Sequence, residues 1–495
     1  MKRRSLRIIF VTAIVAATFA GTMASSAEGQ PRPGSRPASR PAARPAPAGQ
    51  PAPAHPAQPG QADQGPDSIS ALIAGLRVEG GLTAGAAASR ARRVSPRNAE
   101  GRASSQAAEA QHGRSKIGWI PRVRASAQYA RLSRVDPGPE AESLGLEFLR
   151  NQYTNRATVE VPLSDYVLRT PHQVAAARHG AESARHSERA TQREVEADAR
   201  IAYYEWVRAR LQVVTAERGL ALVDESLNTT ASQVRAGTAS RADLLRLESR
   251  HADAELTLRR ASDAAARSED RLRTIIGASD GEPLAVGEDI AAVDPRALSQ
   301  VRASAPSALW RSAAGRRPET LALRAAERSA ESDAKAARAD LFPRLSAFGE
   351  VAYDNPNARA FPQEDEFSSS WTVGLELSWD FNLALGSPNA AEEAKARARA
   401  RRAQAAQQAE LVRDEVLAAR QAVDQAEVAI EVGERGLAAA EEGYRVRRAL
   451  QGAGRAIAVE VIDSETELTR ARVALIDARI DLHVALVRWR LAVGN

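Results

Sequence analysis

Two stretches decide how this chain is read: Ala236-Gly237-Thr238-Ala239-Ser240-Arg241-Ala242-Asp243-Leu244-Leu245, and Ala453-Gly454-Arg455-Ala456-Ile457-Ala458-Val459-Glu460-Val461-Ile462. Their glycines lie 217 positions apart. The same offset pairs Asp243 with Glu460, Glu248 with Glu465, Pro171 with Pro388 and Gly277 with Gly494. Landmarks held in register over so long a span mark an internal duplication. In each copy the glycine interrupts a long run without proline, 172–282 in the first and 389–495 in the second. Such runs predict long helices, folded back at Gly237 and Gly454 into hairpins. The stretch 389–450 alone would extend roughly 90 Å at about 1.5 Å per residue.

The final helix carries two packing seams. Val461, Leu468, Leu475, Leu482 and Trp489 recur every seven residues, with Ser464, Ala471, Ala478 and Ala485 three positions behind the first four. Val459, Thr466, Val473, Ile480 and Val487 form a second heptad row. The rows are two residues apart, roughly 200° around a helix, so the helix has neighbours on nearly opposite sides. That geometry fits a wall of helices better than a globular bundle with one broad apolar face. Shifted back by 217, the first seam reappears at Leu244, His251, Leu258 and Leu272, with Leu247, Ala254 and Ala261 beside it. His251, in a seam position, is read as packing.

Each copy also contains extended structure. Gly118-Trp119-Ile120-Pro121-Arg122-Val123 resembles Asp340-Leu341-Phe342-Pro343-Arg344-Leu345, where a helix gives way at an apolar-Pro step. Alternating apolar and polar residues then predict strands at 122–129, 156–163, 344–353 and 371–381, the third irregular at Phe348. In the fourth, Trp371, Val373, Leu375, Leu377, Trp379 and Phe381 share one face. Trp371 and Trp379 are spaced to mark the two interfacial girdles of a membrane strand; a soluble hairpin with buried tryptophans is the alternative. Four strands cannot close a membrane barrel, so a barrel requires several chains, and three would supply twelve strands.

Composition sets the boundaries. Residues 1–27 read as a signal peptide: Lys2, Arg3, Arg4 and Arg7, an apolar run Ile8 to Ala20, then Ser25-Ser26-Ala27. Residues 28–67, rich in Pro and Ala, read as a disordered linker. The first 67 residues hold eight cations and three anions, a charge of +5 out of the chain's +6. The remainder is nearly neutral and gives no support for a nucleic-acid partner. With no cysteine there is no disulfide, no thiolate metal site and no lipid-modified N-terminal cysteine.

On the duplicated strand–hairpin units, the Gly81-Leu82-Thr83 and Val94-Ser95-Pro96 steps of the opening helix and the tip Glu460-Val461-Ile462-Asp463-Ser464-Glu465, residues 68–495 resemble the TolC-type outer-membrane efflux protein family. The resemblance implies a mainly α fold with a membrane β-barrel portion: a homotrimer with a twelve-stranded barrel in outer-membrane lipid and an α-helical barrel crossing the periplasm. It implies two repeats, 68–277 and 318–495, and an equatorial segment at 278–317. It also implies a passive exit duct working with a periplasmic adaptor protein and an inner-membrane pump, with no cofactor. By position after the tip glycine, Glu460 and Asp463 match the family's acidic constriction, and Asp243 matches its acidic gate partner in the first repeat. Arg455 stands one position before the family's gating basic residue, and Gln451 replaces an expected tyrosine. All three acids also stand where negative charge simply favours a helix start.

Enzyme chemistry finds no foothold. The heptad spacing of His172, His179 and His186 is poor for chelation, and no nucleophile triad, phosphate loop or HExxH motif appears. The competing reading from another class is a periplasmic coiled-coil adaptor or scaffold, which the duplication of the whole unit disfavours.

Overall fold

The computed structural model describes residues 69–133, 149–303, 305–361, 363–453 and 455–494. The expected signal peptide and linker, and Gly454, lie outside the described residues. The chain begins with α1 (Ile69–Leu76), β1 (Arg77–Leu82), α2 (Ala84–Val94) and α3 (Pro96–Lys116), followed by strands β2 (Arg122–Arg131) and β3 (Asn151–Val161). A short α4 (Leu163–Leu168) leads to the first hairpin, α5 (Thr170–Arg235) and α6 (Arg241–Ile276). Two short helices follow, α7 (Pro295–Ala303) and α8 (Pro306–Arg316). The second copy is α9 (Pro318–Ala337), β4 (Arg344–Asn355), β5 (Ser368–Ser378), α10 (Phe381–Gly452) and α11 (Ala458–Val493).

The duplication shows in the element boundaries. α11 starts and ends 217 residues after α6, and β5 starts and ends 217 after β3. β4 starts 222 after β2, so the five-residue difference is absorbed between the paired strands.

Local chemistry sets the boundaries. β3 begins earlier than the alternation predicted and stops at Val161, because Pro162 has no N–H for the ladder. β5 stops at Ser378 rather than 381, because the Asp380 side chain accepts from Leu383 N at 3.0 Å and starts α10. Phe381 therefore belongs to a helix, and Trp379 sits in the junction. In the first copy a break at Arg169 separates α4 from α5, whose Pro171 lies in its first turn. In the second copy the corresponding turn is fused to the long helix, and Pro388 lies inside α10. Both final helices end on a left-handed glycine, Gly277 at φ +62° and Gly494 at φ +81°.

The predicted first seam of α11 is its most enclosed face: Val461, Leu468, Leu475, Leu482 and Trp489 are each 2% exposed. The second seam is buried at Ile480 and Val487 but only half-buried at Val459, Thr466 and Val473, nearer the tip. One core joins α11 to Tyr203, Tyr204, Trp206 and Leu211 of α5 and to Val286 and Ile290. Another packs Ala297, Val301, Ala313 and Ala314 of α7 and α8 against Val412, Val416, Ala419 and Val423, midway along α10. The segment after the first hairpin thus grips the helices at mid-height. Small residues permit the close approaches: a Cβ on Gly433 would meet Leu475 Cδ1 at 3.3 Å.

The tightest approach is between backbones. A Cβ on Gly287 would lie 2.2 Å from Gly81 O, where β1 pairs with the mid-chain segment at Val286. Gly287→Ala should cost about 2 kcal/mol or more, because backbone cannot yield as a side chain can. Gly443→Ala, in α10 with nothing within 4 Å, should instead be neutral or stabilise by about 0.5–1 kcal/mol. Thermal melts of the two variants by circular dichroism check the contrast.

Candidate functional site

The strands form one antiparallel sheet in the order β2-β3-β4-β5. Its register separates two chemical faces. Val123, Val159, Gly349 and Val373 lie side by side, and the next row on that face is Ala125, Ala157, Val351 and Trp371. The opposite face carries the row Arg124, Thr158, Glu350 and Thr372. Phe348, the irregularity in the alternation, belongs to that polar face and lies over its neighbour Gly374: a Cβ there would stand 2.9 Å from Phe348 Cζ. The glycine makes room for the ring.

Among the described residues nothing covers the apolar face. Val123, Trp371, Val373, Leu375 and Leu377 are all about 70% exposed. Aromatic rings gather at both ends of the sheet. At the end away from the helices, Tyr129 lies 5.0 Å from Tyr153, and Phe367 lies 5.7 Å from Tyr153 and 5.2 Å from Tyr353. At the helical end, Trp119 stacks on Tyr166 at 5.6 Å and Trp379 lies 4.6 Å from Phe381. Trp371 sits one same-face row inside Tyr353. From Phe367 to Trp379 the chain covers about 40 Å at ~3.3 Å per residue, which a strand tilt of about 40° projects to ~30 Å, the thickness of a bilayer core. The tyrosine cluster escaped the sequence reading because its members come from three strands and a loop. No helix among the described residues is long and apolar enough to cross a membrane.

Both hairpin tips lie at the other end of the helices. Ser226 near the end of α5 donates to Glu465 Oε1 near the start of α11 at 2.6 Å, and Arg448 of α10 pairs with Glu225 of α5. Gly237 turns the first tip with φ +75°. Asp243 is half-buried at a side-chain N-cap: the Ser240 hydroxyl accepts from Asp243 N at 3.2 Å and donates to Asp243 Oδ2 at 2.7 Å. Glu460 is exposed in the first turn of α11, and Asp463 is exposed one turn further on. Arg455 is exposed in the second tip, anchored by its own N–H to Leu450 O at 2.8 Å. The chain thus brings Glu460, Asp463 and Arg455 to one tip, with no ion pair among the described residues, and commits Asp243 to a local cap in the other.

His251 is more than the apolar packing the seam predicted. Its Nε2 lies 2.7 Å from Asp224 Oδ1 and its Nδ1 3.8 Å from Glu255 Oε1, making it a polar bridge between α5 and α6. At mid-height, Tyr204 donates to Glu288 Oε1 at 2.9 Å, while Glu288 Oε2 accepts from Ala84 N at 3.0 Å and caps α2. Burial, reinforced by the Glu288 charge, holds the Tyr204 hydroxyl well above its ordinary pKa. Tyr204 also stacks on His483 at 4.9 Å, whose Nε2 lies 2.9 Å from Ile290 O. These contacts lock the belt to both hairpins.

A family profile described as outer membrane efflux protein matches residues 87–278 and 309–495. Among solved structures, CusC, described in terms of transmembrane channel formation, is similar with a TM-score of 0.72 and 18% identity, over 85% of this chain and 93% of that one. The outer membrane protein VceC of Vibrio cholerae is similar with a TM-score of 0.70 and 15% identity, over 83% and 95%. The open state of the Neisseria gonorrhoeae MtrE outer membrane channel gives 0.69 and 18%, over 86% and 89%. No match was found among curated protein sequences.

The two-faced sheet makes a direct prediction. Leu375→Arg, on the apolar face, should cost about 2–4 kcal/mol of stability in lipid. Thr158→Arg, on the polar face, should be tolerated. Folding of both variants into phospholipid vesicles, followed by gel mobility and protease protection, checks the difference.

Proposed function

The chain belongs to the outer membrane efflux protein family, and from that premise we propose that it is one protomer of a homotrimeric exit duct, conducting substrates passively from the periplasm to the exterior. The observation that carries this reading is the sheet: an exposed, apolar, aromatic-flanked face on four strands whose outer edges pair with no other strand among the described residues. Three copies joined edge to edge would close twelve strands into a barrel with the apolar face in outer-membrane lipid and the polar face in the lumen. Tyr129, Tyr153 and Tyr353, with Trp371 just inside them, would form the outer girdle, and Trp119, Trp379 and Phe381 the inner one.

In this reading the signal peptide, residues 1–27, directs export and 28–67 is a linker. The repeats 68–277 and 318–495 build the barrel and periplasmic helices, and 278–317 is an equatorial belt. The hairpin tips meet a periplasmic adaptor protein and an inner-membrane pump. Threefold symmetry would gather Glu460 and Asp463 into acidic rings at the constriction, with Arg455 beside them and Asp243 serving the first hairpin. Such rings would favour cations in the lumen. The duct acts as a conduit rather than an enzyme. A periplasmic coiled-coil adaptor, the other reading of the hairpins, would have no use for an uncovered apolar sheet.

The full chain, extracted from outer membranes in detergent, should have the mass of three protomers; a soluble monomer or dimer would overturn the duct. In planar bilayers the Glu460→Ala/Asp463→Ala variant should show a lower cation-to-anion permeability ratio than wild type. An unchanged ratio would remove both acids from the constriction while leaving the duct in place.

A further inference from the structure

The two copies of the hairpin bury one duplicated glutamate differently. Glu248 of α6 is exposed, whereas its counterpart Glu465 of α11 is 4% exposed. One Glu465 oxygen accepts from Ser226; the other, Oε2, is buried with no partner. An unpaired buried carboxylate oxygen is costly to a fold. Glu465 also lines a cavity of about 490 Å³ between the two hairpins, within the size range of small-molecule sites.

The cavity lies where the second seam of α11 loses its neighbour. Thr466 and Val473, half-buried members of that seam, form one wall, and Leu247 and Ala254 of α6 face them. Leu220 and Val223 of α5 lie between. The lining charges alternate in sign: Arg250 and Asp253 from α6, Arg470 and Asp477 from α11. Beyond Glu465, Glu225 of α5 is paired with Arg448 of α10, and Tyr444 of α10 lies on the same side.

We propose that this inter-hairpin cavity binds an organic monocation, with its ammonium group at Glu465 and its apolar body against Leu220, Val223, Leu247 and Val473. The Glu465 carboxylate, the lining acid with a buried unpartnered oxygen, stands beside apolar side chains and matches one charged N–H donor on a hydrocarbon body. A divalent metal ion would need several oxygen ligands, and an anion placed at Glu465 would meet a like charge. The occupant touches both hairpins and so favours the arrangement in which they lie together. Burial raises the Glu465 carboxyl pKa, opposed by the Ser226 hydrogen bond and Arg448. An amine restores the charged form, so its binding weakens as pH falls through that raised pKa.

The test uses the full chain in a neutral detergent and three probes with one apolar body: 4-phenylbutylamine, 4-phenylbutanol and 4-phenylbutyrate. Calorimetry should show saturable binding of the amine, weaker binding of the alcohol and none of the acid. Glu465→Gln, which keeps the acceptor for Ser226, should weaken the amine by about tenfold or more and leave the alcohol unchanged. Ala254→Phe, which fills the cavity, should abolish both. Absence of amine binding, equal affinity for amine and alcohol, or an unchanged amine affinity in Glu465→Gln overturns the proposal. Conductance is not the readout, so the result is independent of the exit-duct reading.

Discussion

Four antiparallel strands with one apolar face cannot satisfy themselves. β2 and β5 are the outer strands of the sheet, each with an edge that pairs with no further strand among the described residues, and no described residue covers the exposed apolar face. In water both conditions are unfavourable, and in lipid an open edge is worse, because no solvent can satisfy it. Closure by identical copies within a bilayer would meet both requirements together: neighbouring edges pair, and lipid covers the apolar face. The loop before β5 already shows the pressure on that edge: Arg359 reaches across to donate to Trp371 O at 2.8 Å and also contacts Thr372 Oγ1. A charged side chain at an edge is a common guard against premature pairing.

The helices meet a related constraint differently. A wall of helices has few neighbours per helix, so each contact must be close. The chain supplies this with alanine and glycine: Ala391, Ala398, Ala405, Val412, Ala419 and Ala426 recur every seven residues along α10 and are all buried. Larger residues near the end of α11, Leu482, Leu486 and Trp489, pack against the Val412, Ala419 and Ala426 part of this row. With aromatics only 4% of the sequence, burial rests on many small contacts along length. The exception is the mid-height belt, where Tyr203, Tyr204, Trp206 and Trp489 build a conventional core. Long slender hairpins need one thick section to fix their relative heights, and that is where the chain spends its large side chains.

The repeat made most of this legible from the sequence. An offset shared by Gly237, Asp243, Glu248 and Gly277 with their counterparts fixed both hairpins, and alternation located four strands to within a few residues. Errors arose where one residue overrode a periodic pattern. Asp380 started a helix inside an alternating run, and Pro388 was carried within α10 instead of beginning it. His251 held a seam position but found Asp224. The tyrosine cluster and the buried Glu465 were invisible for another reason. Each depends on which elements come side by side, and neither leaves a pattern along the chain.

The tip is where these lessons meet function. Along the described helices most ion pairs join an arginine to a nearby carboxylate: Arg208 with Asp481 at 2.5 Å, Arg97 with Glu194 at 2.7 Å and Arg402 with Glu327 at 2.7 Å. Glu460 and Asp463 depart from that habit, exposed on the first two turns of α11 without a cationic partner among the described residues. In a single chain this costs little, since water screens them and the helix N-terminus favours negative charge. Repeated around an axis it becomes a concentration of like charge, with a field that grows as the tips approach. In the proposed trimer, acids so placed would give a closed tip a built-in opposing force, one that a passing cation or a docked partner would relieve.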